Sequence, residues 1–120
     1  MLGAIIGDII GSTREFENDK RTDFELFVEG SRFTDDTVCT IAVAEAILDG
    51  SFDYKSKFRE ICPEYYGVGY GQAFTNWFMS ADDAPYNSWG NGSAMRVSPV
   101  AWVAQYLDET LTMAEDTAVV

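Results

Sequence analysis

Apolar and polar positions along the chain predict a succession of short helices with polar connections. Residues 2–12, LGAIIGDIIGS, set Gly3, Gly7 and Gly11 on one helical stripe, with Leu2, Ile5, Ile6, Ile9 and Ile10 around it. Each glycine costs roughly 1 kcal/mol of helix propensity relative to alanine, so three in one helix imply a compensating close contact and a central position. Residues 13–33 are polar and broken. A brief alternation at Phe24, Leu26 and Val28, ending at Gly30, leaves room for a short β-hairpin around residues 22–33. Thr34 reads as an N-cap followed by Asp35 and Asp36 where the helix dipole favours anions, and TVCTIAVAEAILD then runs to Gly50. A shorter amphipathic helix is expected from Phe52 to about Ile61, stopped near Pro63. Beyond the glycine-rich YYGVGYGQ, helical spacing resumes at Phe74, Trp77 and Phe78, and residues 80–92 form a loop of turn formers. SAMRVSPVAWVAQYL predicts another helix with Pro99 near its first turns, and residues 109–120 a last one. The reading is one mainly α domain over residues 1–120.

Composition narrows the chemistry. The 120 residues include no histidine, which removes a Ser-His-Asp triad, a Cys-His pair and the His-rich zinc sites. Acid-base work falls to carboxylates. Two cysteines, Cys39 and Cys62, make neither a four-thiolate site nor a disulfide framework and are expected as reduced core thiols. The apolar N-terminal stretch is short, contains Asp8 and lacks a basic flank, so neither a signal peptide nor a membrane span is expected, and the location implied is cytoplasmic.

Twenty acids against eight bases give a net charge of −12. Residues 61–120 hold seven acids and a single base, Arg96. Direct nucleic-acid binding rests on clustered Lys and Arg and is not expected. A basic protein, a metal ion or a groove that normally holds nucleic acid suits this field better. The aromatic set Trp77, Tyr86, Trp89, Trp102 and Tyr106 reads first as core.

The sharpest chemical signal is Phe33-Thr34-Asp35-Asp36-Thr37, where two carboxylates and a hydroxyl share a helix N-terminus. Such hard oxygen ligands suit Mg²⁺ or Mn²⁺. On the pentapeptide alone the plainer reading is a capped helix. With GDIIGSxxEF (residues 7–16), RFTDDT (32–37), GYGQ (69–72) and YNSWGNGSAMRVSP (86–99) in this order, however, the chain resembles the ADP-ribosylglycohydrolase family over nearly its whole length.

The resemblance implies an all-α fold, two Mg²⁺ ions between helices, and cleavage of the bond joining ADP-ribose to a protein side chain. By the same resemblance Thr34, Asp35 and Asp36 are half of the metal site. Glu15 corresponds to an acid beside the metals that assists the leaving group or the attacking water. Gly69, Tyr70 and Gly71 correspond to a loop on the diphosphate, and Ser88, Trp89, Gly90, Asn91 and Gly92 to the loop around the distal ribose and phosphates. Arg96 falls either near that ligand or simply among local acids.

The family's remaining metal ligands lie in an Asp-x-Asp-Thr motif with a His-containing segment. This sequence has neither, and Asp116-Thr117 lacks the first Asp. At most one weakly held Mg²⁺ is expected from the half-site, and none if it is vestigial. Three functions follow as expectations. The leading one is an interaction or inhibitor protein on this scaffold, using its acidic surface as a nucleic-acid mimic against a basic protein or nucleic-acid-binding complex, as anti-CRISPR proteins do. The second is a glycohydrolase completed by a second half or by a homodimer, and the third an inactive fragment with an exposed apolar face.

Overall fold

The computed structural model describes residues 1–16 and 20–119. Residues 17–19 of the expected loop, and residue 120 at the end of the expected last helix, lie outside it. Six α-helices follow in order: α1 (Leu2–Gly11), α2 (Asp35–Leu48), α3 (Tyr54–Ile61), α4 (Gln72–Phe78), α5 (Gly92–Met95) and α6 (Leu107–Ala118). Two 3₁₀ turns, Cys62–Tyr65 and Val100–Trp102, complete the regular structure of the described residues.

Helix α2 is the axis of the fold. Thr34 caps it, its hydroxyl accepting from Asp36 N, and Gly50 follows its C-terminus with φ +73°. Eight of its fourteen residues are buried. A helix apolar on most faces belongs inside, and Val38, Cys39, Ala42, Val43 and Ala46 meet Tyr54 and Phe58 of α3, Cys62, and Phe74, Trp77 and Phe78 of α4. Both cysteines are free and buried, as their sequence context predicts.

Helix α3 begins two residues later than its pattern predicts because Phe52 adopts φ +53° and Asp53 takes the capping position. The Asp53 carboxylate accepts from Ser56 N at 3.1 Å and from Ser56 Oγ at 2.6 Å, and these bonds hold its pKa below the usual range. Asp53→Ala is expected to lower stability by about 1 kcal/mol in urea denaturation, with the slope unchanged.

Three expectations are corrected. Helix α1 is not central: none of its residues is buried, and a Cβ at Gly3, Gly7 or Gly11 would meet nothing within 4 Å. No hairpin forms among the described residues of 20–33. Its backbone groups are taken locally, Glu25 O by Arg14 Nη2 at 2.9 Å and Val28 N by Ser31 Oγ at 3.1 Å, while Arg14 stacks 4.2 Å above Phe24. Residues 93–107 do not form one helix: α5 stops at Met95, and after Pro99 only the 3₁₀ turn forms. Trp102 and Tyr106 are consequently exposed, as is Trp89, whereas Trp77 is core as expected.

Arg96 locks the C-terminal segment. Its side chain is buried, Nε and Nη2 donate to Thr117 O at 3.1 and 2.6 Å, and the guanidinium lies 4.5 Å from the Phe58 ring centroid. A cation on the last carbonyls of α6 complements the helix dipole. Arg96 is therefore structural and not a surface charge among acids, and its side chain also lines the cavity beside Gly92.

Candidate functional site

The site grows from an aspartate inside an apolar helix. Asp8 projects from α1 onto the N-terminus of α2 and accepts four hydrogen bonds, from Thr34 N (2.8 Å), Thr34 Oγ1 (2.6 Å), Thr37 N (3.2 Å) and Thr37 Oγ1 (2.5 Å). This accounts for two of the amides that a helix start leaves without intrahelical partners. The Thr34 hydroxyl gives its proton to Asp8, so its oxygen is left as an acceptor. Sequence reasoning missed Asp8 as a site residue. The available signal was a single charge within the isoleucine-rich LGAIIGDIIG.

Around Thr34 the carboxylates gather, and raised pKa values mark their burial and mutual repulsion. Asp35 is half-buried and its pKa is raised to about 6, chiefly by desolvation, then by Asp36, with smaller contributions from Glu15 and Asp8. Asp36 is raised as well, by desolvation and then by Asp8. Burial beside like charge disfavours the ionised forms, and a cation would relieve both effects.

Gly7, Asp8, Gly11, Ser12, Glu15, Thr34, Asp36 and Asn91 line a pocket of about 330 Å³. Gly7 and Gly11 of the α1 stripe thus open onto a pocket where sequence reasoning anticipated another backbone. Glu15 is exposed on its wall. Asn91 also lines the adjoining cavity, of about 360 Å³, together with Asp35, Gly71, Phe74, Tyr86, Ser88, Trp89, Gly90, Gly92 and Arg96. The two cavities share Asn91 and are together called the trough: Glu15, Thr34 and Asp36 line one part, and Asp35, Gly71 and the SWGNG loop the other.

Gly69 and Tyr70 sit differently. Gly69 has φ +121°, and a Cβ there would stand 3.0 Å from Asp35 Oδ1, so this glycine lets the loop close onto the carboxylate. The Tyr70 ring faces inward against Phe74 and Phe78, with centroids at 5.8 and 5.2 Å, and burial raises its hydroxyl pKa. Gly69→Ala is expected to cost roughly 1–2 kcal/mol in thermal unfolding through strained backbone and the displaced Asp35 carboxylate.

Motif order, helical fold and the carboxylate trough converge with the sequence comparison, in which the family model described as ADP-ribosylglycohydrolase matches residues 1–120. The chain belongs to the ADP-ribosylglycohydrolase family. No curated protein and no solved structure matches it. ADP-ribosylglycohydrolases are metal-dependent hydrolases in general, and the donors of this trough, a hydroxyl oxygen and two partly desolvated carboxylates, suit a hard divalent cation. Among the described residues no three His, Cys, Asp or Glu converge closely enough to hold a metal. Nor, among them, is any helix long and apolar enough to cross a membrane.

Proposed function

We propose that this chain carries the cation half-site and the ADP-ribose trough of an ADP-ribosylglycohydrolase, and that hydrolysis needs further oxygen ligands from a second polypeptide segment or a second copy. The raised pKa of Asp35, in a trough shared with the SWGNG loop, carries this reading. Thr34, Asp35 and Asp36 would hold Mg²⁺, which when bound polarises the substrate oxygen and activates water. Asp8 orients the Thr34 hydroxyl and Gly69 leaves room for Asp35. Glu15 stands where a carboxylate can take the proton of an attacking water. Glycine at 90 and 92 allows close backbone approach to phosphate.

Mn²⁺ titration followed by electron paramagnetic resonance tests the half-site. One weakly held ion per chain, lost in Asp36→Asn, is expected. Free-ion signal throughout the titration would refute the proposal.

The surface supports a second reading, an acidic interaction or inhibitor protein directed at a basic or nucleic-acid-binding partner. Every described carboxylate except those of Asp8, Asp35 and Asp36 is exposed, whereas the exposed bases are only Lys20, Arg21 and Arg32. In this reading the carboxylate array imitates a phosphate backbone. Binding to basic partners should then weaken steeply with salt, and a salt-independent complex would count against it.

A further inference from the structure

A second concavity lies outside the trough and shares none of its lining residues. It is a groove of about 400 Å³ between α2 and the end of α3 with its following 3₁₀ turn. Thr37, Ile41 and Glu45 run along one wall at helical spacing, and Val38 and Ile61 form the apolar floor. Eight residues of helix give it a length of about 12 Å, or two turns of an incoming helix. Phe33 and Tyr65, in edge contact at 6.0 Å, line the groove and are both more than a third exposed. Glu45, Glu60 and Glu64 also line it, all three exposed; Lys57, outside the lining, pairs with Glu60 at 3.2 Å, and no Lys or Arg lines the groove itself.

The molecule as a whole exposes more surface than its mass calls for. Its accessible area is 7802 Å², against roughly 6,450 Å² for a folded monomer of 13.3 kDa. The radius of gyration is 14.9 Å, against about 13.6 Å for a compact chain of this length. The excess of about 1,300 Å² belongs to the chain as a whole.

We propose that this groove docks an amphipathic helix of a partner protein, one with apolar residues at i and i+4 flanked by Lys or Arg. Apolar anchors would pack on the Val38 and Ile61 floor and against Ile41 on the wall. The basic flanks would meet Glu45 and Glu64, Glu60 being held by Lys57, and a cationic group would stack on Phe33 or Tyr65. A second copy of the chain fits less well, because it would bring a charge of −12 to a groove lined by glutamates. The proposal does not depend on the metal half-site.

The test uses a fluorescent Leu/Lys peptide of about four helical turns, with a scrambled peptide of equal composition that lacks helical spacing. Anisotropy should report low-micromolar binding of the helical peptide and weaker binding of the scrambled one. Ile41→Gln, which leaves the charge unchanged, should weaken binding by about tenfold or more. The exposed combination Glu45→Gln and Glu64→Gln, which leaves the Lys57–Glu60 pair intact, should do the same, and it decides the matter if Ile41→Gln disturbs folding by circular dichroism. Removing three carboxylates from α6 (Asp108→Asn, Glu109→Gln, Glu115→Gln) should change affinity less than about twofold. Equal losses from the groove and α6 variants, equal binding of both peptides, or no binding would overturn the proposal.

Discussion

Asp8→Ala is expected to destabilise the protein by about 3–5 kcal/mol, read from urea denaturation, and to abolish the melting response to Mg²⁺. The carboxylate is the shared acceptor for two backbone amides and two hydroxyls at the start of α2. Hydrogen bonds to a charged group are worth about 1.5–3 kcal/mol each, and four on one residue are not additive. Their loss leaves the Thr34 and Thr37 donors facing a half-buried space and frees the Thr34 hydroxyl to rotate. It also releases α1, which buries none of its own residues and so has little other attachment. Asp8→Asn should fall between wild type and Ala, because an amide oxygen can accept from some of the four donors but carries no charge. A loss below about 1 kcal/mol would show that α1 is held by other contacts.

The opposite sign is expected at Asp35. Its folded pKa of about 6 lies above the unfolded value of 3.8, so at neutral pH the ionised group opposes folding. That cost is fully present above pH 6 and is relieved as pH falls from 6 towards 3.8, where the folded state takes up its proton first. The metal-free protein should therefore gain stability through this window. Asp35→Asn should be more stable than wild type at pH 7 by about 1–2 kcal/mol after allowance for solvent screening of a half-exposed group, and should lose the gain as pH falls from about 6 towards 3.8. The same substitution should remove the Mg²⁺-induced rise in melting temperature, since a ligand of the ion is gone. A residue that costs stability until a cation arrives has the behaviour of a binding site. If Asp35→Asn instead lowers stability at pH 7, the carboxylate serves the fold as an ordinary helix cap.

The sequence was legible where local chemistry and burial agree. Thr34 caps α2 because hydroxyl and first-turn acids are sufficient signals, and the run to Gly50 is apolar enough to be the axis of the core. The TDDT, SWGNG and glycine-stripe motifs were all visible, and the structure brings parts of each into one trough. Long-range partners were not legible. Nothing local says that Asp8 bonds residues 26 and 29 positions away, or that Arg96 reaches across to Thr117 O. Gly3, Gly7 and Gly11 give the same pattern for a packed helix and for an open pocket wall, and only the fold distinguishes them. Alternation at Phe24, Leu26 and Val28 suggested a strand, but a strand needs a partner, and the backbone there is used by Arg14 and Ser31.

The trough is the centre of this account, and calorimetric titration of the chain with ADP-ribose, with and without Mg²⁺, tests it most directly. Micromolar binding that requires Mg²⁺ and is lost in Asp36→Asn is the predicted result. No heat of binding in either condition would contradict the account, leaving the acidic surface and the groove on α2 as the features through which the chain acts.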